Sequence, residues 1–159
     1  MHTANIILLT LTVLLCGGYF CITLFCQIGL LPAMRSIGPA AFVKAWRDID
    51  GYMDRAMPPY KLTLLALTAA TTTTLAVTCQ GQLAILTGIS FLCGLAALIL
   101  TITRQVPVNK CIATLPPSAA DSLALDLLRT TENNFTIRFV LALAAFAALC
   151  LGVTQYPIH

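Results

Sequence analysis

Arg47, Asp50 and Asp54 stand at i, i+3 and i+7 in a chain with few charges, and on a helix that spacing brings them near one face. Two chemistries fit them. Turned to solvent they form an ion-paired face, the more frequent use of such a trio. Turned inward, Asp50 or Asp54 serves as an acid/base group or polar anchor at the mouth of a helix bundle. Two more polar residues lie where apolar stretches end. Asn109 follows Pro107 closely enough to cap a turn, and Arg138 opens an apolar run. The Arg138 stem lies in hydrocarbon while its head can snorkel to a lipid phosphate or pair with a carboxylate. Capping and snorkelling are the commoner roles for these two.

Metal and haem chemistry have little to draw on. The histidines are His2 and His159, at opposite ends of the chain, whereas a membrane haem protein needs axial ligands inside its bundle. They admit only a two-histidine metal site built from termini, a poor site because terminal residues are seldom ordered. The seven cysteines, Cys16, Cys21, Cys26, Cys79, Cys93, Cys111 and Cys150, include no CxxC, CxC or Cys/His cluster. That argues against zinc, an iron–sulfur cluster and thiol–disulfide exchange, and the cysteines read as small apolar fillers. No metal ligand is assigned, no haem, zinc or iron–sulfur site is evident, and the cofactor is unknown.

The elements that must position these residues follow from composition. Hydrophobic residues make up 58% of the 159 and charged residues 9%, against roughly a quarter charged in soluble domains. With a mean hydropathy of +0.89, most of the chain must face lipid or other apolar helices. The expected fold is all-α: a four-transmembrane-helix bundle in a single integral membrane domain, 1–159, with spans at about 6–31, 62–79, 83–103 and 139–156. Pro32 should end the first span. Met1–Asn5 has no Lys or Arg, so that span reads as retained rather than as a cleaved signal. Gln80-Gly81-Gln82 should form the tight turn between spans two and three. Thr71–Thr74 should bond back to the preceding turn or across to a neighbour, in packing rather than as a polar lining. Ala144 and Ala148 have the small-xxx-small spacing of a close helix contact.

Between spans one and two, Phe42, Trp46, Ile49, Met53 and Met57 recur at intervals of four, three, four and four. This is the stripe of an amphipathic interfacial helix, started at Pro39 and stopped at Pro58-Pro59, lying along the headgroups or folded under the bundle. Between spans three and four, Ser118 is a candidate N-cap after Pro116-Pro117. Ala120, Leu123, Leu127 and Leu128 give the helix that follows a short apolar face, and it should fray near Asn133-Asn134.

All nine basic residues and all six acids fall in the two long connections or at their edges. Positive charge stays inside, so both connections belong to the cytoplasm and both termini lie outside it, in a membrane expected to be a bacterial inner membrane. The absence of an ionisable group within any expected span argues against an ion-coupled transporter. The net charge of +3 is small and dispersed, excluding a nucleic-acid partner. The expected partners are the lipid bilayer and other membrane subunits or a second copy of the chain.

Gly17-Gly18-Tyr19-Phe20 in the first span leads to Leu31-Pro32-Ala33-Met34, and the helix Phe42-Val43-Lys44-Ala45-Trp46-Arg47-Asp48-Ile49-Asp50 follows. Val106-Pro107-Val108-Asn109-Lys110 comes after span three and Asn134-Phe135-Thr136-Ile137-Arg138 enters span four. This layout resembles, over nearly the whole chain, the anthrone oxygenase-like family of small four-helix membrane proteins. The family's Asn after the helix's Ile corresponds to Asp50. The resemblance implies an oxidoreductase for a hydrophobic aromatic substrate, since some members oxidise anthrones to anthraquinones with molecular oxygen and no well-established cofactor. Asp50, Asn109 and Arg138 are then the candidates to orient and deprotonate a phenol or activated carbon acid, and Trp46, Asp54 and Arg47 the candidates to contact it. The alternative is a non-catalytic accessory or assembly subunit of a larger membrane complex, so enzymatic activity stays open at this point. The topology is testable: a reporter enzyme active only in the cytoplasm, fused after His159, should be inactive, and activity there overturns it.

Overall fold

The computed structural model describes residues 2–116 and 121–154, and every element among them is helical. The order is α1 (His2–Phe25), a π turn (Cys26–Leu30), α2 (Leu31–Ser36), α3 (Pro39–Val77), α4 (Gly81–Leu100), a second π turn (Thr101–Gln105), α5 (Val106–Thr114) and α6 (Asp121–Thr154). Three helical runs are long and apolar enough to cross a membrane: Thr3–Ser36, Gly81–Thr114 and Asp121–Thr154, with mean hydropathies of 2.2, 2.5 and 2.2. The 39-residue α3 carries charge through its first half and threonines through its second.

Proline shapes two of these runs without ending them. Pro32 and Pro107 each sit one residue past the start of an α segment that follows a π turn. A proline within an α-helix crowds the carbonyl one turn back and lacks its own donor; a five-residue π turn just before it widens the ladder at that carbonyl. The first helical run therefore passes Pro32 and stops only at Gly38, whose φ of 82° L side chains rarely adopt. The expected end at Pro32 is corrected on that ground. Pro39 opens α3 as expected. Pro58-Pro59 does not stop it: both prolines are exposed, while Tyr60 and Lys61 just beyond are pinned by hydrogen bonds to Leu15 O (2.5 Å) and Thr101 Oγ1 (3.0 Å).

Helices α1, α3, α4 and α6 close a ring in which α6 packs on both α1 and α4, and α3 packs on the same two from the other side. Polar packing within it is done by hydroxyls. Thr71, Thr72, Thr73 and Thr74 bond the carbonyls of Leu67, Thr68, Ala69 and Ala70 at 2.7–2.9 Å, and Thr71 also meets Thr12 of α1 at 2.8 Å. Phe20 stacks between Phe139 and Phe146, with centroids 5.9 and 5.5 Å away. The close face of α6 is Ala142, Ala145, Ala148 and Gly152, where a Cβ on Gly152 would lie 2.7 Å from Leu83 Cδ1. Ala144 is exposed, so the expected Ala144/Ala148 pairing is corrected by this register.

The charged end has its own core. Phe42 and Trp46 of α3 pack with Cys26, Leu31, Met34, Ile112, Leu128 and Phe135, so the amphipathic stripe faces protein as a continuation of the same helix. The connection from α3 to α4 is Thr78-Cys79-Gln80, with Cys79 at φ 58°, two residues earlier than the expected Gln80-Gly81-Gln82 turn. No fraying occurs at Asn133-Asn134: α6 is continuous there, because Asn134 is buried and its side chain bonds Gln105 rather than the backbone. The expected N-cap Ser118 and Ala120 lie outside the described residues; of that face Leu128 is buried and Leu123 exposed.

A Cβ on Gly18 would sit 2.7 Å from the Tyr60 hydroxyl, which is already committed to Leu15. Gly18→Val should lower stability by about 1–3 kcal/mol through overpacking. Gly51, inside α3 with nothing within 4 Å of an added Cβ, should gain about 0.5–1 kcal/mol as Ala. Thermal unfolding in mild detergent measures both.

Candidate functional site

A chain of side-chain amides crosses the charged end of the bundle. Asn134 of α6 donates its Nδ2 to Gln105 Oε1 at 3.2 Å, and Gln105 donates its Nε2 to Asn109 Oδ1 at 2.7 Å. Trp46 Nε1 donates to the same Asn109 oxygen at 3.2 Å. Asn109 Nδ2 in turn donates to Asp50 Oδ1. Every donor points one way, toward Asp50, which stands at the end as the acceptor. A buried amide left without a partner is costly, so each link holds the next, and an amide carrying charge-polarised bonds on both sides is hard to rotate.

Asp50 is half-buried and its carboxyl is pushed up to about 6. Burial is the largest cause, the neighbouring Asp54 adds to it, and the Asn109 hydrogen bond pulls the other way. A carboxylate with that affinity for protons suits general acid/base work near neutral pH.

Two cations stand in the same cavity. Lys61, 9% exposed, donates to Thr101 Oγ1 at 3.0 Å and lies 5.9 Å from the Tyr19 ring centroid. Arg138, 7% exposed, rests its guanidinium on the Phe135 ring at 3.8 Å. Its Nε and Nη2 have no hydrogen-bond partner among the described residues, and the ion pairs among those residues, Arg35–Glu132 and Arg129–Asp126, involve neither cation. Trp46, Asp50, Asp54, Lys61, Asn109 and Arg138 thus share one cavity of about 70 Å³, flanked by Ile49, Met53 and Met57. That is room for about five water-sized spheres, or for the polar edge of a larger molecule.

Five of the six expected site residues meet there: Asp50, Asn109, Arg138, Trp46 and Asp54. Arg47 does not. Its Nε bonds Ile112 O at 2.9 Å and its Nη2 bonds Leu115 O, because the free carbonyls at the end of α5 attract a cation. Neither Asn109 nor Arg138 keeps its commoner role. Asn109 lies inside α5 and links side chains instead of capping a turn, and Arg138 is enclosed over Phe135 instead of snorkelling outward. Gln105, Asn134, Lys61 and Thr101 are additional members. Their signal was spacing: Gln105/Asn109 and Asn134/Arg138 are i, i+4 polar pairs inside apolar surroundings, and Lys61 continues the Met53–Met57 stripe by four.

Among the described residues no three His, Cys, Asp or Glu are grouped to hold a metal, and the cysteines are free thiols. The His2/His159 pairing involves side chains outside the described residues. No protein-family model, curated protein or solved structure matches this chain.

The Asp50 shift sets a pH dependence. A carboxyl whose folded value lies above its unfolded one contributes stability at low pH and loses that contribution as pH rises through the folded value. The protein should therefore lose stability as pH rises through about 6. Asp50→Asn should flatten that slope and be the more stable protein at alkaline pH, as read by denaturation midpoints across a pH series.

Proposed function

We propose that the chain is an integral membrane oxidoreductase of oxygenase type, acting on a hydrophobic aromatic molecule that reaches the cavity from the lipid. In this reading four segments cross the bilayer: α1, the second half of α3, α4 and the second half of α6. The first half of α3, with its charges, lies at the cytoplasmic side, and both termini lie outside. The resemblance to anthrone oxygenase-like proteins and the one-sided charge support this placement.

The observation that carries the chemistry is the amide chain ending on Asp50 in a cavity that also holds Lys61 and Arg138. Such a site can take a proton from carbon on one side and stabilise the oxyanion that forms on the other. For a ring CH₂ beside an aryl ketone, Asp50 takes the first proton and the enolate oxygen faces the cations. Electron transfer from the carbanion to oxygen and recombination give a hydroperoxide, which recovers that proton. Loss of the second C–H proton to Asp50 breaks the O–O bond and forms the new ketone. The leaving hydroxide takes the proton as water, so one CH₂ and one O₂ give one C=O and one H₂O. The cavity accommodates the ketone edge of such a molecule, with its remaining rings against Ile49, Met53 and Met57.

The cavity's small volume also suits a second reading, a non-catalytic subunit whose polar cluster serves assembly. Purification in gentle detergent with mass spectrometry tests it: co-purifying membrane subunits support it, and a lone 17.0 kDa species removes it.

Oxygen uptake by purified protein in lipid nanodiscs, offered a panel of anthrones and quinols, tests the oxidoreductase. Asp50→Asn should lower turnover by roughly 10²–10⁴-fold, while Asp48→Asn, on the exposed face of α3, should leave it unchanged. No uptake with any substrate overturns the reading.

A further inference from the structure

We propose that Arg138, with Lys61 beside it, forms a binding site for the oxyanion of an aromatic ligand seated beside Trp46 and Phe135. The proposal deepens the functional reading by naming the ligand's chemistry, and it rests on that reading for the identity of the cavity as the substrate site.

Arg138 is more than nine-tenths buried, and the donors it leaves without a protein partner are Nε and Nη2. These two lie on the same edge of the guanidinium. That edge is the fork which engages two carboxylate oxygens in parallel or converges on one oxyanion. The opposite demand, an internal carboxylate, is not met: Asp50 and Asp54 line the same cavity, yet neither is within ion-pair reach of Arg138 among the described residues. Lys61 shares the cavity, and the two positive charges disfavour each other. An isolated buried cation is expensive and a buried pair of like charges more so. A ligand oxyanion relieves both at once.

The walls select an aromatic carrier for that charge. Trp46 meets Phe135 edge-on with centroids 5.7 Å apart, and Phe135 also supports the guanidinium, so an aryl group entering beside them finds ring edges and faces to pack on. A lipid phosphodiester offers the same anionic oxygen without the ring, and the two sources separate experimentally.

Trp46 is the chain's only tryptophan and it lines the cavity, so its fluorescence reports occupancy directly. In phosphatidylcholine nanodiscs, benzoate should give a saturable change at concentrations at least tenfold lower than benzamide, its neutral isostere. Arg138→Gln should abolish that preference, Arg138→Lys should retain part of it, and Lys61→Met should weaken it. The wild-type preference stands as a test even where a variant fails to fold. Equal response to benzoate and benzamide overturns the proposal. So does displacement of benzoate by nanodiscs containing phosphatidylglycerol, or by inorganic phosphate at equal concentration, since the site would then read phosphate. Oxygen uptake on the same samples separates the two claims: a benzoate preference without uptake supports this site while the oxidoreductase fails, and uptake without the preference does the reverse.

Discussion

Asn109 is the residue on which the charged end of this protein depends. Its carbonyl oxygen accepts from both Trp46 and Gln105, and its amide nitrogen donates to Asp50. One side chain therefore joins α3 to α5 and, through Gln105 and Asn134, both of them to α6. Gln105 and Asn134 are buried, where an unmade hydrogen bond is costly, so the order of donors and acceptors is set collectively. Reversing any amide would set like against like, a donor facing a donor or an acceptor facing an acceptor. The consequence for chemistry is directional: the chain ends by delivering the Asn109 N–H to Asp50, which favours its ionised form.

The prolines and π turns give that chain its geometry. Widening the ladder at Thr101–Gln105 lets the helix continue past Pro107 and brings Gln105 and Asn109 onto one side, facing α3 and α6. The equivalent turn at Cys26–Leu30 carries α2 past Pro32 and places Leu31 and Met34 in the core that seats Phe42 and Trp46. Gly38 then reverses the path, so that α3 presents its aromatic stripe to α5 and α6. Packing on both flanks of Pro58-Pro59 overrides the local preference to break, and Asp50 and Lys61 stay on one helix facing one cavity.

Much of this is legible in the sequence, and the departures from it have physical causes. Hydropathy alone marks the three long apolar runs, which contain the spans expected at 6–31 and 83–103 and the one at 139–156 as far as Thr154. The period of Phe42, Trp46, Ile49, Met53 and Met57 marks an apolar face without saying whether it meets headgroups or the bundle. The helix ends expected at Pro32 and Pro58-Pro59 fail because proline is only a local preference to stop, which a π turn absorbs at the first and tertiary packing at the second. Arg47 and Asp50 lie only about 60° apart on a helix, but the long Arg47 side chain follows the nearest free carbonyls, those of Ile112 and Leu115. For Arg138 and Asn109 the sequence suggests the common surface uses of their types, since nothing in a linear sequence shows that the helix carrying each continues for another turn and encloses it.

Asp50 is a partly desolvated carboxylate held by Asn109 and poised near neutral pH. Infrared difference spectroscopy of the purified protein, wild type minus Asp50→Asn, follows the protonated carboxyl band of this one residue through a pH titration. The midpoint should lie at about 6 and move upward in Asn109→Ala as the hydrogen bond that favours the ionised form is removed. A midpoint in the ordinary aspartate range that ignores Asn109 would contradict it.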